Sequence, residues 1–210
     1  MLNYKRRFMS YEELWQGGPR YMQEPGVFPL GSDSVWLGSF AGLAGVKTAV
    51  DLGCGGGALS LMLLGRKPAL KVTALDISQK AVELTRKNAE LNGLGITALN
   101  FDPPYFIRGS GNKAKGEERA AAREENEGSL EDFCRAASYL CRWGGRFAVV
   151  YRPERLSELC CAMTANGIEP KRLRFVQKNP GTGPIVVLME GKRGGKKGLK
   201  IEPPLILNME

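Results

Sequence analysis

Apolar runs and polar breaks alternate along this chain with the rhythm of a βα fold. The short run Thr48-Ala49-Val50 ends in Asp51-Leu52, and Gly53-Cys54-Gly55-Gly56-Gly57 then turns the chain into a helix-length apolar segment from about Gly57 to Gly65. A second strand pattern, Lys71 to Asp76, also ends in an acid. A Ser78 cap then opens a helix whose apolar positions are Ala81, Leu84, Ala89 and Leu91, stopped by Asn92-Gly93. Ile96 to Phe101 reads as a strand running straight into Asp102-Pro103-Pro104-Tyr105-Phe106. Ser129-Leu130-Glu131-Asp132 caps a helix through Phe133, Ala136, Ala137 and Leu140, and Gly144-Gly145 ends it. Arg146 to Tyr151 is the next strand, and Pro153 to Asn166 a helix with proline in its first turn. Two strands close the pattern, about Arg172 to Lys178 and Pro184 to Glu190, joined by Asn179-Pro180-Gly181-Thr182-Gly183. A hairpin after βα alternation predicts an α/β fold whose sheet is mostly parallel with one antiparallel strand and helices on both faces.

The remaining segments are less regular. Ser10-Tyr11-Glu12-Glu13 has a capping-box signature and predicts a short helix ended by Gly17-Gly18-Pro19. The turn-rich stretch Gln23 to Asp33 leads to a helix capped at Ser32 or Asp33 and running to about Leu43. Residues 1–46 are thus read as an N-terminal helical lid and entry segment, and 47–210 as the main domain of one compact chain. Between 108 and 128 the sequence is polar and charged in both signs, with 117–125 a helix candidate.

Composition narrows the chemistry. The 210 residues are 43% hydrophobic and 25% charged, which is the balance of a soluble globular protein. No stretch approaches the roughly 20 apolar residues of a membrane span, and the basic, aromatic start has no signal core, so a cytoplasmic protein is expected. There is no histidine, which excludes histidine acid–base catalysis. The five cysteines form no CxxC pair, so no metal is expected, and they read as reduced, mostly buried small residues. A formal charge of +8 points to a polyanionic partner, although solubility alone would also account for it. Clustering favours the partner: Lys192, Arg193, Lys196, Lys197 and Lys200 crowd the end of the chain, behind Lys171, Arg172 and Arg174.

Two stretches carry the candidate chemistry. Glycines after a strand let a ligand approach the backbone where a Cβ would collide with it, and an acid at the next strand end can accept from ribose hydroxyls. An acid before the first glycine would repel a pyrophosphate but attract the cationic end of a sulfonium ligand. This arrangement resembles motif I of S-adenosylmethionine-dependent methyltransferases. Asp51, Gly53, Cys54, Gly55, Gly57, Asp76 and Ile77 are therefore the expected cofactor-binding residues. In Asp102-Pro103-Pro104-Tyr105 two prolines fix the backbone and leave their carbonyls as rigid acceptors. If Asp102 and the Pro103 carbonyl accepted both hydrogens of an exocyclic amine, its lone pair would be freed for in-line attack, while Tyr105 offers a face for the base. Alone, the same residues are as readily a loop opening. Trp36, Phe28 and Phe106 could line a base pocket, but core packing is the expectation for each.

Nearly the whole chain resembles the bacterial methyltransferases that modify the N6 amine of the adenine beside the anticodon of valine tRNA. The likeness rests on Val27-Phe28-Pro29-Leu30-Gly31-Ser32-Asp33, the Asp51–Gly57 loop, Pro103-Pro104-Tyr105-Phe106 and Gly109-Ser110-Gly111. It continues through Gly144-Gly145-Arg146, Arg152-Pro153-Glu154-Arg155 and the tail Gly194-Gly195-Lys196-Lys197-Gly198-Leu199 with Pro203-Pro204-Leu205. It implies a Rossmann-like class I sheet, S-adenosylmethionine as cofactor, tRNA as partner, and a monomer or weak homodimer. Two features depart from that family. Asp102 stands where it usually has asparagine, and the interval from Asp76 to Asp102 holds one helix and one strand where two of each are usual. Either residues are missing near 96–102, or a βα unit of the strand 3/4 region is absent and Ile96 to Phe101 takes the place of strand 4 beside strand 1. Other acceptors remain open: DNA adenine, guanine N2 of ribosomal RNA, a glutamine amide of a release factor, or none, in an inactive RNA-binding module.

Overall fold

The computed structural model describes residues 11–101 and 129–208, which fall into two compact units. The first begins with a hairpin, β1 (Tyr11–Glu13) antiparallel to β2 (Arg20–Met22), in place of the expected helix. Its outer edge is satisfied far along the chain. Asn88 exchanges bonds of 2.8 and 3.0 Å with the N–H and carbonyl of Met22, and Asn92 exchanges two of 2.7 Å with those of Arg20. Those partners outweigh a local capping box, because every buried backbone donor needs one.

Helix α1 (Ser32–Phe40) follows, then β3 (Thr48–Leu52), α2 (Ala58–Arg66), β4 (Lys71–Asp76), α3 (Gln79–Leu91) and β5 (Ile96–Asn100). The three strands are parallel in the order β3-β4-β5, with Val72, Ala74, Leu75 and Ala98 buried. Here one of the two alternatives left open is set aside. Ile96–Asn100 pairs with β4, not β3, and so takes the position of strand 3. The order β5-β4-β3 is the 3-2-1 half of the expected sheet, and among the described residues β3 pairs only with β4. Its Val50 is accordingly 43% exposed.

The second unit contains α4 (Leu130–Leu140), β6 (Arg146–Tyr151), a 3-10 turn at Pro153–Arg155, α5 (Leu156–Ala165), β7 (Ile168–Gln177) and β8 (Pro184–Arg193). Ser129 and Asp132 form the predicted capping box of α4, each bonding the other's backbone. β8 lies antiparallel between β6 and β7, the order expected of strands 5-7-6. Leu159, Met163, Ile168, Leu173, Val187 and Met189 make its core. Two short strands not foreseen, β9 (Lys200–Ile201) and β10 (Leu205–Ile206), pair in parallel with β7 and cover its free edge.

Exposure differs from expectation at single residues. Phe28 is 84% exposed rather than core, and Trp36 is half-buried. Of the five thiols only Cys54 and Cys134 are buried, Cys161 being exposed. No helix among the described residues is long and apolar enough to cross a membrane.

Candidate functional site

The site is built where β3 and β4 end. β3 stops at Leu52, and Gly53 turns with φ +74°, its N–H and that of Cys54 both donating to the Leu75 carbonyl at 2.9 and 3.0 Å. Gly57 then bonds back to Cys54 at 2.8 Å and opens α2 as a cap residue with no side chain to serve the first turn. The Ser60 N–H of that turn serves the Asp51 carboxylate, which leaves the Ala58 and Leu59 donors for an anionic group.

The glycines divide by what surrounds them. A Cβ on Gly53 or Gly55 would meet nothing within 4 Å, so these two face open space. On Gly56 it would lie 2.2 Å from the Tyr21 hydroxyl, and on Gly57 2.8 Å from Thr85. Gly56 and Gly57 let the loop seat on its own protein, while Gly53 and Gly55 leave a cradle that a side chain would fill.

Two carboxylates bracket this cradle. Asp76, at the end of β4, accepts from the Gly55 N–H at 2.8 Å and from the Ser78 N–H at 2.8 Å, tying strand end, loop and the cap of α3 together. Asp51 is buried, 4% exposed, and accepts from the Ser60 hydroxyl at 2.7 Å. Burial pushes its carboxyl up to about 6; the Ser60 bond opposes that rise, and the neighbouring Asp76 adds to it. Ile77, 54% exposed, follows Asp76 and accepts from the Asn100 amide at 2.9 Å. Cys54 turns its thiol inward to Thr85 at 3.5 Å, and burial raises it to about 12. Only its backbone faces the loop surface, and the buried thiol is inert.

Three residues that sequence reasoning passed over hold this loop. Thr85 donates to the Gly55 carbonyl at 2.9 Å, Asn88 to the Gly56 carbonyl at 2.9 Å, and Tyr21 is buried against Gly56. The signal was present: Ala81, Thr85, Asn88 and Asn92 recur at helical spacing, so polar groups stand on the buried stripe of α3. Asp102, Pro103, Pro104, Tyr105 and Phe106 lie outside the described residues, as do Gly109-Ser110-Gly111 and the 117–125 helix candidate. The chain leaves the sheet at Asn100, beside Asp76, since β5 adjoins β4.

The fold, with the turn after β3 and the acid after β4, is that of the class I S-adenosylmethionine-dependent methyltransferases. Residues 23–103 match the family model "Methyltransferase small domain". A crystal structure of a predicted O-methyltransferase from Agrobacterium tumefaciens matches with a TM-score of 0.63 at 23% identity, over 83% of this chain and 86% of that one. By sequence the chain is similar to a tRNA1(Val) (adenine(37)-N6)-methyltransferase of a Flavobacteriaceae bacterium, 30% identical over 146 residues, 61% of each chain. A protein of the same name from Phocaeicola vulgatus is 27% identical over 78% of this chain and 76% of its own length. The chain thus spans about three fifths of the first relative. The cofactor implied is S-adenosylmethionine, and the open side of Gly53 and Gly55 between two carboxylates fits it.

Proposed function

We propose that this protein transfers a methyl group from S-adenosylmethionine to the exocyclic N6 amine of an adenine in tRNA. The observation that carries the reading is the cradle at Gly53 and Gly55, with Asp51 buried behind it and Asp76 bonded to its rim. The names of the two relatives support the acceptor. When bound, the cofactor supplies an electrophilic methyl on a sulfonium.

The chain's own residues bind and orient. Asp51, once ionised, attracts the ammonium of the methionine end, and the remaining N–H donors of the first turn of α2 suit its carboxylate. Asp76 keeps acceptor capacity for ribose hydroxyls beside its two backbone bonds. Asp102 and the Pro103 carbonyl would accept the two amine hydrogens, Pro104 would keep the corner rigid, and Tyr105 would stack on the base. The amine nitrogen loses its proton after transfer, so the lack of histidine is no obstacle. Cations near the chain end, Lys192, Lys196, Lys197 and Lys200, supply surface for the tRNA backbone.

The test is labelled methyl transfer from S-adenosylmethionine to unfractionated tRNA, ribosomal RNA, DNA and protein, with nucleoside analysis of the product. N6-methyladenosine in tRNA is expected, and Asp102→Ala should abolish it while cofactor affinity holds. Full transfer by Asp102→Ala, or label confined to another acceptor, would falsify the proposal.

A further inference from the structure

Within the basic surface assigned above to the tRNA backbone, the second unit carries an exposed aromatic that the proposed function does not use. Trp143 follows α4 and is 78% exposed, unusual for the side chain with the most apolar surface to hide. Its ring is nevertheless held in place. A Cβ built on Gly194 would lie 2.2 to 2.5 Å from three atoms of the indole, so one ring face is seated on that glycine and the other is left to solvent. The seat is built by the backbone: the Gly144 N–H donates to the Arg193 carbonyl, and the Arg193 N–H to the Gly145 carbonyl, both at 2.9 Å. Gly194, with φ +65°, adds a bond to the Gly167 carbonyl at 2.9 Å.

Cations stand on the segments that seat this ring. Arg142 is its exposed neighbour, and the Lys192 side chain lies over Gly144, its Cε 3.7 Å from where a Cβ on that glycine would stand. Lys171 donates to the Lys196 carbonyl at 2.9 Å, bringing two further cations to the turn after β8. Glu169, opposite Lys192 in the β7–β8 register, is the acid among them. A fixed aromatic face among several cations matches unpaired nucleotides, since every base has a face to stack and every phosphate a charge to neutralise. An acidic peptide would meet the charge but has no need of a flat ring seated on glycine.

We propose that Trp143 is a stacking platform for an unpaired base of the RNA, flanked by Arg142, Lys192 and Lys196 on its backbone. This rests on the RNA reading given above but names a contact remote in sequence from the methyl-transfer residues. The chain's other tryptophans are Trp15 and Trp36, and Trp143 is the most exposed of the three, so its fluorescence reports contact directly.

The experiment titrates the full chain with unfractionated tRNA, a short oligoadenylate and a fully paired RNA duplex, following tryptophan emission and affinity. Emission should fall with tRNA and oligoadenylate, and Trp143→Phe should lose most of that change while keeping affinity within about threefold, since a phenyl face still stacks. Trp143→Ala should weaken both single-stranded ligands by roughly 5- to 50-fold and leave the duplex within about twofold. Lys192→Gln should weaken all three and flatten the salt dependence by about one charge. Equal binding of tRNA by Trp143→Ala and wild type overturns the platform. So does an equal loss on duplex, which would mean that the ring only shapes the surface. If the wild type methylates tRNA and Trp143→Ala binds normally, the platform alone falls; if the wild type binds no RNA, it falls with the RNA reading.

Discussion

Two buried carboxylates, one in each unit, show how differently the same group can be kept. Glu190, on β8 and 5% exposed, has its counter-charge within the protein: Arg172 donates to it at 3.1 Å, and the Gly42 N–H does so at 2.8 Å. Arg172 also lies over the Phe40 ring at 4.4 Å and holds Glu202 in the tail at 2.9 Å, so one guanidinium joins three segments. Asp51 is as deeply buried but faces a hydroxyl and a second carboxylate, with no ion-pair partner among the described residues. A buried charge without a counter-ion is costly, and a site that must receive a cationic ligand is where that cost has a use. The comparison separates an acid with a counter-ion in the fold from one without, to which the proposed function gives a ligand.

Removing each charge should therefore have opposite effects on stability, and this is the largest expected difference. Glu190→Gln should lose about 2–3 kcal/mol in denaturant unfolding, below the value for a fully enclosed pair because Arg172 keeps Glu202 and some solvent. Asp51→Asn should be as stable as the wild type or more so at pH 7, yet bind S-adenosylmethionine at least roughly tenfold more weakly by calorimetry. A destabilised Asp51→Asn that binds the cofactor normally would erase the distinction.

The same contrast appears on the pH axis. The folded protein holds the Asp51 proton up to about 6, while the unfolded chain releases it near 3.8, so in that window the unfolded state binds fewer protons. Stability should then fall as pH rises through the window, by up to about 3 kcal/mol for this group, and the contribution is complete only below the lower value. Asp51→Asn should remove that fall in thermal unfolding followed from pH 4 to 7. Affinity for the cationic cofactor should run the other way, weakening as pH drops below about 6.

The loop glycines extend the comparison to the backbone. Gly56→Ala drives a methyl into the Tyr21 hydroxyl and should cost about 1–3 kcal/mol in thermal unfolding, as overpacking does. Gly53→Ala meets open space, so only its left-handed φ opposes it, at about 1–2 kcal/mol, and its larger effect should be on cofactor affinity.

How much of this could be read beforehand follows from range. Thr48–Leu52, Lys71–Asp76 and Arg146–Tyr151 were legible to the residue because each is a short apolar run between an acid or glycine and a helix cap. Tyr11–Glu13 was misread because its hairpin depends on Asn88 and Asn92, far along the chain, while its own letters spell a cap. The place of Ile96–Asn100 was left open for a related reason. A strand's pattern reveals that it is buried, not which neighbour it pairs with, and only the register against Val72–Asp76 decides that. Asp51 was legible as the acid that ends its strand run, whereas its hydroxyl partner Ser60, in the first turn of α2, was not.

Arg172 allows the finest version of the comparison, since its two acids differ mainly in depth. Glu202 lies nearer the surface than Glu190, with 22% of its side chain exposed against 6%, and the guanidinium bond holds its carboxyl below the usual range. Solvent screens such a pair, so Glu202→Gln should cost under about 1 kcal/mol, less than half the effect of Glu190→Gln. Because the pKa of Glu202 is depressed, its share is present above the ordinary carboxylate pKa and is lost as pH falls through the lowered value. High salt should shrink the Glu202 effect and leave that of Glu190 nearly intact, since ions reach the outer acid and not the inner one. Equal losses for the two variants, or equal salt sensitivity, would mean that the tail clamp, not burial on β8, sets what this guanidinium contributes.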